Sequence, residues 1–344
     1  MVTRAATAGA LAVSALMLVS GSGAAPTASR PGIVSLDLRT HKEQVFPIGD
    51  LAALSPEARR IAVVENLGNK EYRLRLRRLD GSHDRMLVRT PFPVFLGDPR
   101  WSPDGRTIAY LRFDPGCGTG PPACHGAVQL WLVRTAGGPP RLLSDDAGTA
   151  AWAPDSQRLA FPGELEGAGR SRLTVENRDG SDRAALGGRV YIYSLSWSGD
   201  GRLVYSTNSP YFQDPNPGEI HSVAVGTGRD RVVAPGVDPE SSHDGRFLSF
   251  IQRKGNRRTL CLLRNGKPRV ILSGPNLEFV HAWSRTGHRL AFAITNRFGQ
   301  AKVFVYDPGR AKPLRAVTRG RYGPVRSIAW SPDGRRLLFV RTSG

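Results

Sequence analysis

The sequence predicts an all-β fold, a seven-bladed β-propeller closed by a split blade whose strands come from both ends of the chain. Three observations support this prediction. A turn motif recurs seven times in the 344 residues, each copy precedes a strand-like apolar segment, and unpaired strand-like segments remain at the two ends. The many glycines and prolines agree with a fold made of short strands and turns.

The turn motif is complete at residues 330–335, where it reads Trp-Ser-Pro-Asp-Gly-Arg. Proline fixes φ, aspartate bonds to nearby backbone amides and glycine accepts a positive φ, so the motif predicts a tight turn between two strands. Five of the six tryptophans occupy its first position. Aligned on that position, the copies are 42 to 51 residues apart and begin at Leu54, Trp101, Trp152, Trp197, Ser241, Trp283 and Trp330.

A repeat of about 45 residues predicts one blade, a four-stranded antiparallel sheet. The last repeat has room for only two strands, and strand-like segments within residues 33–46 supply the missing pair. This pairing would close the ring and cover sheet edges that a linear array leaves open. Six blades is the alternative, because the copies at Leu54 and Ser241 depart from the motif.

The motif and the apolar run ending in an aromatic residue that follows it resemble the WD-like repeats of TolB-type β-propellers and the propeller domains of prolyl-oligopeptidase-type peptidases. The resemblance covers residues 32–344 and implies the fold rather than the function, since propellers host many activities. TolB carries an α/β domain before its propeller, and the peptidases carry a hydrolase domain with a Gly-x-Ser-x-Gly elbow. We expect the propeller alone here, without either domain.

Residues 1–25 are expected to form a secretory signal peptide. Arg4 precedes an apolar stretch from Ala5 to Val19, and small residues follow. A stretch of about 15 residues is short for a membrane span, which disfavours an uncleaved anchor. Residues 26–344 would then be a single propeller domain, expected to be monomeric and to reside outside the cell, in the periplasm or in the cell envelope.

Cysteine and histidine positions predict a disulfide and no metal site. Cys117 and Cys124 share one loop, and in an exported protein we expect them to be bonded. Cys261 lies in an apolar segment and is expected to be a buried free thiol. His281 lies on an inner strand two residues before Trp283, but the other histidines fall at non-equivalent positions, so neither a metal nor a cofactor is expected.

The formal net charge of +19 favours an anionic partner, although an arginine-rich composition by itself would give the same excess. A site for single-stranded nucleic acid requires aromatic residues interleaved with basic ones. The basic segment 253–258 has no aromatic residue. The predicted partner is therefore a protein or an anionic cell-envelope polymer, and not a nucleic acid.

The candidate ligand-binding residues lie in loops between the second and third strands of neighbouring blades, which share one face of a propeller. These loops are enlarged at residues 113–126, 162–170 and 208–218, and the next blade has a basic turn. Two alternatives involve no ligand. The basic turn could simply be solvated, and the aromatic side chains of the loop at 208–218 could fold back over their own blade. The predicted ligand-binding residues are Tyr211, Phe212, Asp214, Arg253, Lys254, Arg257 and Arg258.

No catalytic residue can be assigned from the sequence, which favours a non-enzymatic binding scaffold. The alternative is an enzyme with a site in the central channel, such as a polysaccharide lyase or a hydrolase of small molecules. Several His, Asp or Arg side chains that converge in the channel from different inner strands would favour the enzyme. A channel lined by small or apolar residues would favour the binding scaffold.

Overall fold

The structure is a computed structural model that describes residues 32–47, 51–115, 127–166, 170–207, 218–318 and 322–341. Within these residues it contains 28 strands in seven four-stranded antiparallel sheets, and no helix that is long and apolar enough to cross a membrane. Several predictions fall outside the described residues, namely the signal peptide, the Cys117–Cys124 disulfide, and the binding residues Tyr211, Phe212 and Asp214.

The strands follow one another along the chain at regular intervals. The first fourteen are β1 (Gly32–Asp37), β2 (Glu43–Pro47), β3 (Leu51–Leu54), β4 (Arg60–Asn66), β5 (Glu71–Arg78), β6 (Arg85–Pro91), β7 (Phe95–Trp101), β8 (Thr107–Asp114), β9 (Ala127–Arg134), β10 (Arg141–Ser144), β11 (Ala151–Trp152), β12 (Arg158–Glu166), β13 (Arg170–Asn177) and β14 (Ala184–Val190). The others are β15 (Ser194–Trp197), β16 (Arg202–Ser206), β17 (Glu219–Ala224), β18 (Asp230–Pro235), β19 (Val237–Ser241), β20 (Leu248–Lys254), β21 (Arg257–Arg264), β22 (Lys267–Pro275), β23 (Glu278–Trp283), β24 (Leu290–Thr295), β25 (Ala301–Tyr306), β26 (Leu314–Ala316), β27 (Val325–Trp330) and β28 (Arg336–Arg341).

Each sheet is one blade, and its strands run in chain order from the inner to the outer edge. Blade one is β3 to β6, and the following blades take four strands each as far as β26. Blade seven is split, with the order β27, β28, β1, β2. Ile33 of β1 lies opposite Val340 of β28 and opposite Phe46 of β2. The predicted closure by residues 33–46 is confirmed, and the six-bladed alternative is wrong.

The core consists of seven apolar clusters, each packed between two neighbouring blades. The cluster that joins blade seven to blade one contains Ile33, Leu338 and Val340 together with Ile61 and Val63, all of them buried. A blade cannot bury both faces of its sheet alone, so stability comes from contacts between neighbours. The split blade therefore completes the ring through side chains from both ends of the chain.

The motif tryptophans connect consecutive blades. A buried indole N–H needs an acceptor, and each one donates to a backbone carbonyl of the preceding blade, at the residue just before that blade's own motif. The five bonds are 2.9 to 3.0 Å long and join Trp101 to Ala53, Trp152 to Arg100, Trp197 to Ala151, Trp283 to Glu240, and Trp330 to Ala282.

The remaining motif positions build the turn. Asp104 accepts hydrogen bonds from the Ser102 hydroxyl at 2.5 Å and from the backbone N–H of Arg106 at 3.0 Å, and the other complete motif at 330–335 is bonded in the same way. The motif aspartates therefore act in the turn. The fifth position has a positive φ in every copy, at Ala58, Gly105, Ser156, Gly201, Gly245, Gly287 and Gly334.

Two loops differ from their predicted form. In blade three, where residues 162–170 were predicted as an enlarged loop, β12 continues to Glu166 and β13 begins at Arg170, with Gly163 opposite Arg172 and Glu166 opposite Arg170. The basic segment of blade five is a tight hairpin in which Lys254 lies opposite Arg257. Local apolar content is low in both segments, so the sequence pattern alone did not show that strand pairing continues through them.

Candidate functional site at the mouth of the channel

Because the strands within each blade are antiparallel, their connections lie alternately on two opposite faces of the propeller. The motif turns between the first and second strands lie on one face, the turn face. Loops between the second and third strands lie on the other, the loop face. Along the inner strands, the side chain just before each motif is at least partly exposed. These seven residues are Ala53, Arg100, Ala151, Ser196, Glu240, Ala282 and Ala329. Five are small, and Arg100 and Glu240 are the two charged members of this set.

A pocket of about 590 Å³ opens at the turn face, lined by residues of blades two to six. Its apolar wall includes the motif tryptophans Trp101, Trp152 and Trp197 and two motif prolines. Such a volume lies in the usual range for sites that hold small ligands. We call this pocket the channel mouth; its charged and ionisable lining residues are Arg100, Asp104, Glu240, His243 and Arg285.

The same local backbone irregularity precedes Arg100 in blade two and Glu240 in blade five. Asp98-Pro99-Arg100 and Asp238-Pro239-Glu240 occupy equivalent positions before the motif. The two aspartates have φ values of 45° and 54°, and the pairing of each strand with its neighbour shifts at this point. A bulge of this kind re-aims the following side chain, and bulges and strained residues concentrate at functional sites.

The carboxyl group of Glu240 is tuned by its surroundings. Burial raises the pKa of Glu240 to about 7, and the charge of Asp238 acts in the same direction, while His281 and Arg100 act against it. Asp98 lies 2.8 Å from the Arg100 guanidinium and holds the pKa of that group above its usual range. Glu240 therefore keeps its proton to a higher pH than an ordinary glutamate, within the electrostatic influence of the Arg100 guanidinium.

His281 lies behind Glu240 on the inner strand of blade six. Its side chain is 1% exposed, and its Nδ1 atom is 3.9 Å from an Asp238 carboxylate oxygen. Neither ring nitrogen has a hydrogen-bond partner among the described residues, which is unusual for a buried polar group. The inner strands β7, β19 and β23 thus bring a guanidinium, three carboxyl groups and an imidazole to the wall of the channel, with blade two facing blades five and six across it.

Two copies of the motif have an ionisable residue in place of proline, and both of these residues lie at the channel mouth. The third motif position is proline in blades one, two, three and seven, but Gly199, His243 and Arg285 in blades four, five and six. His243 and Arg285 both line the channel mouth. Proline at this position serves only the turn, so its replacement by ionisable side chains was a visible signal that sequence reasoning missed.

The predicted binding residues do not contribute to the channel mouth where they are described. Arg253, Lys254, Arg257 and Arg258 lie at the β20–β21 hairpin on the loop face. Their role in binding stays a prediction. Cys261 is a buried free thiol, as predicted, and burial raises its pKa to about 11. Within the described ranges, no group of three or more His, Cys, Asp or Glu side chains has the arrangement of a metal site.

No protein-family model matches the chain. YuxL, an uncharacterized peptidase of Bacillus subtilis, is 30% identical over 160 residues, which are 44% of this chain and 21% of that protein. Acylaminoacyl peptidase of Pyrococcus horikoshii matches with a TM-score of 0.61 and 12% identity, over 85% of this chain and 52% of its own. TolB of Acinetobacter baumannii matches with a TM-score of 0.52 and 13% identity, over 84% and 65%.

The matched region is thus about a fifth of the Bacillus relative and about half of the archaeal peptidase. The two structural matches confirm the TolB-like propeller fold. Neither they nor the Bacillus relative support the predicted non-enzymatic scaffold, since two of the three proteins are named peptidases. The channel itself combines the small residues expected of a binding scaffold with the convergent charges expected of an enzyme.

Proposed function

We propose that this protein binds short peptides at the channel mouth, with the peptide carboxylate held by Arg100 and Arg285. The observation that carries the proposal is the convergence of these two arginines and Glu240 on one pocket walled by tryptophan and proline. Guanidinium groups bind carboxylates through paired charge-assisted hydrogen bonds. The apolar wall suits a peptide side chain, and Glu240 can accept a backbone N–H. The similarity to two named peptidases supports a peptide as the ligand.

Calorimetric titration with a library of tripeptides tests this proposal. Each peptide is used once with a free C-terminal carboxylate and once as its amide. We expect the acid to bind about tenfold more tightly, because a charge-assisted bond is lost in the amide. Arg285→Gln should reduce that difference, because only Arg100 then remains to bind the carboxylate. Arg310→Gln, which neutralises an exposed arginine of blade six, should preserve it. Equal affinity of acid and amide would contradict the carboxylate site, and no binding by any peptide would contradict the proposed function.

A second candidate is acid–base catalysis in the channel, such as a lyase or hydrolase reaction. The observation that favours it is Glu240, whose pKa of about 7 suits a group that gives and takes a proton near neutral pH. A screen of polysaccharides and small esters would reveal turnover. Glu240→Gln should then remove turnover while ligand binding remains. Turnover that survives this substitution would exclude Glu240 as the acid–base group.

Export from the cytoplasm, to the envelope or the medium, is also a proposal. It is supported by the pattern of residues 1–25, in which a basic residue precedes an apolar stretch and small residues. Mass spectrometry of the protein recovered from the envelope and the medium tests it. A mature chain that begins near residue 26 is expected, and an intact N-terminus on protein found only in the cytoplasm would contradict export.

A further inference from the structure

The outer part of blade five contains cations and no carboxylate. Between Asp244 and Glu278 the sequence has eight Lys or Arg residues and neither Asp nor Glu. Most of these cations lie on the two hairpins β20–β21 and β21–β22. Lys254, Arg257, Arg264, Lys267 and Arg269 are exposed, and Arg258 is partly buried.

Strand register places these cations directly opposite one another. Like charges in opposite positions of an antiparallel pair are destabilising, and here no carboxylate of the blade lies between them. Among the described residues, no carboxylate forms an ion pair with any of five of these cations, namely Lys254, Arg257, Arg258, Arg264 and Lys267. The facing pairs are Arg253 with Arg258, Lys254 with Arg257, and Arg264 with Lys267.

In blade one, carboxylates pair with arginines that lie close to one another. Arg73 lies opposite Arg89, and the buried carboxylate of Glu71 bonds to both. Arg75 and Arg77 share Asp84, at 2.9 and 3.1 Å. In blade five, the facing pairs Lys254–Arg257 and Arg264–Lys267 have no such carboxylate among the described residues. Repulsion within these pairs would weaken the fold, and a bound anion would relieve it.

The two cation pairs at the ends of β21 are far apart. Arg264 lies seven positions after Arg257, which corresponds to about 23 Å along an extended strand. Arg269 lies on β22, the outer strand of the blade, and its side chain is exposed. The positive charge therefore follows β21 and its two hairpins through the outer part of the blade, from the loop face to the turn face. This arrangement suits a long, linear ligand better than a single small anion.

We propose that the outer edge of blade five binds a linear polyanionic glycan, whose carboxylate or sulfate groups contact the cation pairs at both ends of β21. The aromatic residues of this segment, Phe247 and Phe250, are buried, so the surface offers no ring on which nucleobases could stack. It also lacks the aromatic anchors typical of protein interfaces. This site is independent of the channel mouth and of the function proposed there.

Binding of oligosaccharides of defined length tests the proposal, with heparin fragments as the sulfated probe and oligogalacturonates as the carboxylated probe. A dodecasaccharide, which exceeds the distance between the two cation pairs, should bind at least about tenfold more tightly than a disaccharide, which can reach only one. The probe that binds more tightly identifies the anionic group. Equal affinity for the two lengths, or tighter binding of an oligodeoxynucleotide of matching length, would overturn the proposal.

Charge-neutralising variants locate the site. The double variants Lys254→Gln/Arg257→Gln and Arg264→Gln/Lys267→Gln should each weaken dodecasaccharide binding about tenfold, since each removes two exposed cations that contact the ligand. Each variant loses a repulsive pair, and Arg264→Gln also loses the contact of its guanidinium with the Phe247 ring, 5.3 Å from the ring centroid. The melting temperature of each variant is therefore measured together with its affinity, and only variants that are folded at the assay temperature are compared. The control Arg310→Gln/Arg335→Gln changes net charge equally on other blades and should bind as the parent does. If all three bind alike, blade five is not the site.

Discussion

The indole Nε1 atom of Trp330 donates a 2.9 Å hydrogen bond to the backbone carbonyl of Ala282, and this bond connects blade seven to blade six. Above the same indole lies the guanidinium of Arg289, 4.7 Å from the ring centroid. The bond recurs at the five blades with a motif tryptophan, and it is missing where Leu54 and Ser241 replace tryptophan. The motif tryptophan therefore joins five of the seven blades to the one before them.

Trp330→Phe should lower the free energy of unfolding by about 2–3 kcal/mol, because the Ala282 carbonyl loses its buried partner and a cavity forms. The control is Trp131→Phe, since Trp131 is only partly buried and donates to the side chain of Gln129 within its own strand. We expect less than ~1 kcal/mol there. Urea unfolding measures both, and equal losses would contradict a special role for the inter-blade bond.

Ile33→Ala should destabilise the ring by about 3 kcal/mol, because Ile33 is fully buried where blade seven meets blade one. Val45→Ala, on the outer strand of the same blade and 45% exposed, should cost less than ~0.5 kcal/mol. Thermal and urea unfolding give the comparison. A small effect of Ile33→Ala would mean that the ring does not depend on the N-terminal strand.

Ala58→Gly should stabilise the protein by about 0.5–1 kcal/mol. Ala58 has a φ of 53°, a conformation that disfavours a residue with a Cβ atom, and complete motifs have glycine there. Ala53→Gly is the opposite case, because Ala53 lies in β3, where glycine costs about 0.5–1 kcal/mol. Changes of the same sign in the two variants would contradict the assignment of strain to Ala58.

The contribution of Glu240 to the free energy of unfolding should decrease as pH rises from about 4.5 to about 7. In this window the folded state keeps the Glu240 proton because burial raises its pKa to about 7, whereas the unfolded state has lost it. The folded state binds more protons, so unfolding becomes more favourable as pH rises. Glu240→Gln removes this contribution, and parallel pH profiles of the parent and the variant would contradict the raised pKa.

Much of the fold could be predicted because it is encoded locally. The proline and glycine of each motif specify a turn wherever they occur, and their spacing fixes the number of blades. The pairing of Ile33 with Val340 follows from the strands left over at each end. By contrast, Arg100 and Glu240 are 140 residues apart in the sequence and line one pocket only because the blades are arranged in a ring. The presence of His243 and Arg285 at a position that is proline in four copies of the motif could be read from the sequence. That these two residues line a pocket could be learned only from the structure.

The measurement that tests the central claim most directly is a crystal structure of the protein with the tightest-binding tripeptide acid. The account predicts peptide density at the channel mouth, with its carboxylate within hydrogen-bond distance of Arg100 and Arg285 and its backbone near Glu240. Peptide bound only on the loop face, or carboxylate contacts made by other residues, would contradict it.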